Sequence, residues 1–193
     1  MKFLVAILIA AALLALSCES PRPDGEIIFR KAPDGDTIFM KIPAAGGEPI
    51  PLNSPIGPRP DTVKAGEWRV FSEGGRILWV PASGVEPVVV SAKSEISGDP
   101  DASAHWGLLT YSAEIASEDA RIIIKELPSG RAVRIFDTEK DDIAPSLSPG
   151  GDWVAFQSGM GAESRIVLGN IHTGKTLFLT AGESPRWAGR ASY

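Results

Sequence analysis

Apolar and polar residues alternate along most of this chain in short runs, and the runs come in pairs. One that opens on Arg or Thr leads into a turn carrying Gly, after which a second apolar run begins. Four such pairs read Thr37-IFMKIPAAGGEPIPL, Arg76-ILWVPASGVEPVVV, Arg121-IIIKELPSGRAVRIF and Arg165-IVLGNIHTGKTLFLT. Their starts lie 39, 45 and 44 residues apart (76−37, 121−76, 165−121). Runs of about 5–8 β-branched, aromatic or Leu residues, divided by Gly, Pro, Ser or Asp, read as strands. Past the N-terminal segment no stretch keeps an i, i+3, i+4, i+7 apolar spacing over more than two turns, so essentially no helix is expected. Strands recurring with a period of roughly 40–45 residues are the signature of propeller blades. The pattern predicts an all-β fold, a β-propeller of four blades with four antiparallel strands each.

The phase of the repeat at the two ends carries a further expectation. The first strand, Glu26-IIFRK, aligns with the second strand of a blade (Trp153-VAFQS). The last, Ser184-Pro185-Arg186-Trp187, aligns with the first, since Pro145 plus 40 is Pro185. The C-terminal strand is therefore expected to complete the N-terminal blade, closing a ring by strand exchange and removing exposed sheet edges. An open array completed by a partner chain is the alternative.

Residues 1–17 stand outside this pattern. Lys2 precedes the apolar run Phe3–Leu16, too short to cross a bilayer comfortably and suited to the apolar region of a signal peptide. Leu14-Ala15-Leu16-Ser17-Cys18 resembles the lipobox of bacterial lipoproteins, with Ala15 where Leu is most usual. Cys18 is the only cysteine, so no intramolecular disulfide forms, and lipidation at Cys18 accounts for an unpaired thiol in an exported chain. An ordinary cleaved signal with a spare thiol is the other reading. The division expected is a lipoprotein signal peptide over 1–17, a lipidated tether over 18–25 and a propeller domain over 26–193. Removal of Lys2 with the signal takes the formal charge from −5 to −6. An acidic surface without basic clusters argues against nucleic acid and against direct attraction to anionic lipid.

The fourth repeat has the clearest lineage. Pro145, Ser148-Pro149, Gly151, Trp153-Val154-Ala155-Phe156, Gly174-Lys175, Leu179-Thr180 and Pro185-Arg186-Trp187 fall on positions where the chain resembles the repeat of TolB-type β-propellers. Gly150 replaces the usual Asp of that family's Ser-Pro-Asp-Gly turn. The resemblance is fair in the third repeat and weak in the first two. It implies the fold and a habit of binding. The family's namesake has six blades and a preceding α/β domain, whereas four repeats of about 44 residues use up the 176 residues after the signal (193−17), so the namesake's role in the Tol envelope system is not carried over.

Chemistry-bearing motifs are few. Gly169-Asn170-Ile171-His172-Thr173-Gly174-Lys175-Thr176 satisfies the G-x-x-x-x-G-K-[ST] phosphate-loop pattern. That loop works at a helix N-terminus, and here Thr176–Thr180 reads as a strand, so nucleotide binding is not expected. His172 is expected in an exposed turn and His105 at the start of a strand, and neither has the neighbours of a zinc site. Ser158 lacks the glycines of a nucleophile elbow, because Phe156 and Met160 flank it. The linkers Asp137–Asp142 and Asp99-Pro100-Asp101 read as solvated loops, with weak calcium binding the functional alternative. Trp68, Trp106 and Trp153 are expected to open second strands and to pack in the core; Trp187 is expected to pack near the seam.

The reading that follows is a binding module without catalytic residues, cofactor or metal. It would be anchored at a bacterial envelope membrane and meet a protein or peptidoglycan-associated partner. Two alternatives are a carbohydrate-binding or carbohydrate-active propeller, with a Trp and carboxylates in an axial pocket, and a self-associating incomplete propeller.

Overall fold

Period-two alternation puts one set of side chains on each face of every strand, and this chain builds its core by stacking such faces. The computed structural model describes residues 22–32, 37–53, 57, 62–84, 86–116 and 118–188, so the expected signal segment and Cys18 lie outside the described residues. Blade 1 contains β1 (Glu26–Lys31), β2 (Ile38–Pro43) and β3 (Ile50–Pro51). Blade 2 contains β4 (Thr62–Ala65), β5 (Trp68–Glu73), β6 (Arg76–Val80) and β7 (Val88–Val89). Blade 3 contains β8 (Glu95–Ser103), β9 (Leu108–Ile115), β10 (Arg121–Glu126) and β11 (Arg131–Phe136). Blade 4 contains β12 (Asp142–Leu147), β13 (Trp153–Ser158), β14 (Arg165–Asn170) and β15 (Thr176–Ala181). The last strand, β16 (Glu183–Trp187), returns to pair with β1. Each sheet is a four-stranded antiparallel meander, and blade 1 has the order β16-β1-β2-β3. The strand exchange read from the repeat phase is thus present, and the only helical element among the described residues is a 3₁₀ turn at Gly161–Glu163.

Three boundaries between blades hold the core. Blades 2 and 3 share Val70, Ile77, Trp79, Leu109 and Tyr111; blades 3 and 4 share Ile122, Phe136, Leu147, Val154 and Phe156. Blades 4 and 1 share Trp153, Ile166, Leu168, Ile27, Phe29 and Trp187. The inner strands repeat one device. Asp99, Ala144 and Ser184 have φ of 49°, 52° and 50°, each precedes a buried proline, and each lies where the pairing register slips. The residue after that proline then reaches the next blade. Asp101 Oδ2 accepts the Leu147 N–H at 2.8 Å, and Ser146 Oγ accepts the Trp187 N–H at 3.4 Å.

The boundary between blades 1 and 2 is built differently. No apolar cluster spans it among the described residues, and β16 and β4 scarcely approach each other, whereas β4–β8, β8–β12 and β12–β16 pack side by side. Where β9, β13 and β1 turn Leu109, Val154 and Ile27 toward the preceding blade, β5 turns Arg69, which pairs with Lys64 across the strands. Arg186 of β16 occupies the place of Asp101 and Ser146, and a guanidinium accepts no N–H. Strand exchange completes blade 1, while blades 1 and 2 share no apolar cluster among the described residues.

Two expectations are corrected in detail. Trp153 opens β13 and is buried, but Trp106 lies in the turn before β9, stays 47 % exposed, donates Nε1–H to the Pro149 carbonyl at 2.9 Å, and covers Gly151. It stitches blade 3 to the first turn of blade 4 from outside the core. The segment expected to be a tether joins the fold before Glu26: Pro23 is buried, and the Gly25 carbonyl accepts the Ala44 N–H at 2.9 Å.

Candidate functional site

The phosphate-loop look-alike is the hairpin turn between β14 and β15. Asn170 Oδ1 accepts the N–H groups of His172 and Thr173 at 3.1 and 2.8 Å and the Thr173 hydroxyl at 3.0 Å. The Gly174 N–H goes to the Asn170 carbonyl at 2.8 Å. From blade 3, Arg134 donates to the Ile171 and His172 carbonyls at 2.9 and 2.7 Å. The donors that would cradle a phosphate are consumed inside the turn, and a strand follows it. Gly174 is needed there for its φ of +74°. His172 is exposed as expected and meets Asp152 at 2.8 Å; His105 stacks edge-on against Trp106 with ring centres 4.7 Å apart.

The acidic linkers are less solvated than expected. Asp142 is fully buried, and its carboxylate accepts the Thr138 N–H at 2.8 Å and the Thr138 hydroxyl at 2.6 Å. Burial, only partly offset by those hydrogen bonds and one from Ser158, pushes its pKa up to about 6. Ser158 shares a 2.6 Å hydrogen bond with Thr138, so it belongs to this network rather than to a nucleophilic pair. Asp137 meets Arg121 at 2.9 Å, and Asp141 accepts the Ala120 N–H at 3.1 Å. Asp101 is buried on the blade 3–4 boundary, where its Oδ1 also takes the Ala102 N–H at 2.9 Å. These carboxylates fix the crossing between blades, and no group of three or more metal-ligating side chains converges among the described residues.

Two hollows flank the blade 4–1 seam at its opposite ends. One of about 450 Å³ is lined by Lys31, Ala32, Gly161, Ala162, Ser164 and Gly182. Behind it Gln157 is fully engaged: Nε2 donates to the Gly159 carbonyl at 2.9 Å and Oε1 accepts the Ser184 N–H at 3.1 Å. The other, about 130 Å³, is lined by Arg22, Asp24, Ser148, Gly150, Asp152 and Trp153. It has the carboxylates and the Trp that a sugar site would need, but Trp153 is only 6 % exposed and the space is well below the roughly 300 Å³ of a small-molecule pocket.

No protein-family description matches this sequence, and no characterised protein resembles it closely enough in sequence to be matched. Solved structures do resemble it in fold. The chain is similar to TolB from Acinetobacter baumannii (TM-score 0.53, 16 % identity), over 85 % of this chain and 43 % of that one. It is also similar to an Agrobacterium tumefaciens protein described as a TolB (TM-score 0.51, 16 % identity), over 83 % of this chain and 64 % of that one. The chain spans about two fifths to two thirds of these neighbours' lengths. At this identity the likeness establishes a TolB-like propeller fold.

Proposed function

We propose that this protein is a non-enzymatic binding module of the bacterial cell envelope, held at a membrane by a lipid on Cys18 and presenting its propeller to a protein or peptidoglycan-associated partner. One observation carries the reading: the polar groups that could perform chemistry are spent on turns and blade crossings. Asn170, Arg134, Asp101, Asp142 and Ser158 are each engaged in this way. What is left to function is surface, and a TolB-like propeller fold supports a role in protein interaction. The anchor rests on the sequence around Cys18 alone, where several acyl chains, at about 0.8 kcal/mol per buried CH₂, would hold the protein firmly.

Metabolic labelling with an alkynyl fatty acid, followed by membrane fractionation of the wild type and Cys18→Ala, tests the anchor. Label and membrane retention lost together in Cys18→Ala is the expected result; equal membrane retention overturns it. Crosslinking in intact envelopes tests the module, with a reproducible protein or peptidoglycan adduct expected. Hydrolysis of a glycan or peptide by the pure protein would overturn the non-enzymatic reading.

A further inference from the structure

We propose that the cleft between blades 1 and 2 receives an acidic polypeptide segment that also carries apolar side chains. The proposal rests on the protein-interaction reading only for the class of occupant; which side chains line the boundary follows from strand registers, and its openness from the near absence of contact between the strands of blades 1 and 2. The faces of Ile27 and Val70 are turned into the neighbouring cores, so alternation turns the opposite faces of both sheets to the 1–2 boundary, which no apolar cluster spans among the described residues. Blade 1 presents Arg30, Lys41 and Arg186 with Glu26 and Glu183; blade 2 presents Lys64, Arg69 and Arg76 with Glu73. That is six cations (3+3) against three carboxylates (2+1) on a chain whose formal charge is −5.

The two walls differ in how their charges are used. In blade 1, Lys41 meets Glu26 at 3.0 Å and Arg30 meets Glu183 at 3.6 Å. Lys64, Arg69 and Arg76 of blade 2 make no ion pair and no side-chain hydrogen bond among the described residues. Between these cations lie half-buried apolar groups, Phe71 and Leu78 on blade 2 and Ile28 and Phe39 on blade 1, with Val80 beside Arg69 buried.

Charge and apolarity together select the occupant. A second copy docking through the same face would bring one cationic wall against another, a like-charge juxtaposition that opposes a two-fold dimer. A duplex nucleic acid matches the charge but keeps its bases stacked away from Phe71, Leu78, Ile28 and Phe39, and a single strand could stack on the two Phe rings but not on Ile28 and Leu78. An extended acidic segment with alternate apolar residues satisfies both, because successive side chains of an extended chain point to opposite sides.

Fluorescence anisotropy on the full mature protein tests this with a labelled alternating Asp-Leu peptide of about ten residues, against Asp-Ser and Lys-Leu peptides and a deoxythymidine oligonucleotide of similar length. The Asp-Leu peptide is expected to bind about tenfold more tightly than either other peptide, with affinity falling as salt rises from about 0.05 to 0.3 M. The combined Lys64→Glu, Arg69→Glu and Arg76→Glu variant is expected to lose about tenfold or more in affinity with an unchanged melting curve. If that variant does not fold, Gln at the same three positions is the substitute. Four outcomes overturn the proposal: undiminished binding by the folded variant, equal or tighter binding of the oligonucleotide, no binding to any probe at about millimolar concentration, or a dimer by light scattering that the same substitutions dissociate. Envelope crosslinks that persist in the triple variant would leave the binding-module reading standing while the cleft falls; loss of every crosslink in the wild type would sink the module itself.

Discussion

The seam between blades 4 and 1 and the boundary between blades 1 and 2 flank the same sheet, and they are opposites. At the seam, Ile27, Phe29 and Trp187 interlock with Trp153, Ile166 and Leu168; Trp187 also donates its indole N–H to the Ser146 carbonyl at 3.0 Å. At the boundary the outward positions are held by Arg30, Lys41, Lys64 and Arg69; of the apolar residues among them Ile28, Phe39, Phe71 and Leu78 are only partly buried, and Val80 is buried. One sheet thus has a face fitted for burial and a face fitted for water. The lesson is that hydrogen-bonded completion of a blade and packing of a ring are separate achievements. β16 supplies the first and, through Trp187, seals the 4–1 seam, while the sequence of β4 and β5 withholds the second from the 1–2 boundary.

The comparison breaks most violently if β16 is removed. Truncation before Ser184 deletes most of the ladder on β1, the Ala188 N–H to Glu26 carbonyl bond at 2.8 Å, and the buried Trp187. Each buried backbone group left unpaired costs about 1–3 kcal/mol, against a typical domain stability of about 5–15 kcal/mol. The truncated protein is expected to aggregate on expression. Equal melting temperatures for truncated and full-length chains would show that blade 1 does not depend on the exchange. Trp187→Ala is the graded version, with an expected loss of about 3–5 kcal/mol by denaturant titration.

The N-terminal end of the same seam gives a smaller effect. Pro23 is buried and Gly25 holds Ala44, so a chain beginning at Glu26 is expected to be about 1–3 kcal/mol less stable than one beginning at Arg22. Identical thermal unfolding of the two would return residues 22–25 to the status of a tether.

Much of this architecture was legible in the sequence because it rests on period and phase. The four strand pairs, the Gly-bearing turns and the offset of Glu26-IIFRK against Ser184–Trp187 are properties of spacing, and spacing survives when identity is weak. The blade 1–2 contrast lay in the sequence too: Lys64 and Arg69 stand where the other blades place apolar residues. Seeing it required knowing which face of β5 is which, and alternation alone does not orient a face. The burial of Asp101 and Asp142 was not legible. A run such as Asp137–Asp142 reads as solvated because carboxylates are costly to bury, and only tertiary geometry brings the backbone donors that offset the cost. Trp106 was misplaced because it sits inside the turn before β9, which opens only at Leu108, whereas Trp153 itself opens β13; sequence alignment alone put the two in register.

The buried linker acid separates the packed boundaries from the open one by pH. Asp142 is pushed up to about 6 by burial at the crossing from blade 3 to blade 4, while in the unfolded chain it titrates near 3.8. Between those values the folded state holds the extra proton. Through this group, stability is therefore fully present below the unfolded value and is lost as pH rises through about 6. In Asp142→Asn the amide oxygen accepts the Thr138 N–H and the amide N–H₂ donates to the Thr138 hydroxyl, which still reaches Ser158. The variant reproduces the protonated acid. It is expected to exceed the wild type by about 1–2 kcal/mol at pH 7 and to match it near pH 4. A difference between the two proteins that does not change with pH would mean that Asp142 is ionised throughout.

The smallest expected effect decides whether the 1–2 boundary contributes to stability at all. Ile27 and Arg69 occupy equivalent places in β1 and β5, one turned toward blade 4 and the other toward blade 1. Ile27 is fully buried in the seam, so Ile27→Ala removes apolar area from a packed core and is expected to cost about 2–5 kcal/mol. Arg69 is exposed, makes no ion pair among the described residues, and pairs across the strands with Lys64, another cation. Arg69→Ala removes a like-charge neighbour and little packing, so the change should stay within about 0.5 kcal/mol, as for surface substitutions generally. Measuring both variants in one set of urea titrations compares the two faces of blade 1 directly. A loss at Arg69 approaching that at Ile27 would mean that blades 1 and 2 share a core after all, and the boundary would then be a fourth packed seam rather than a cleft.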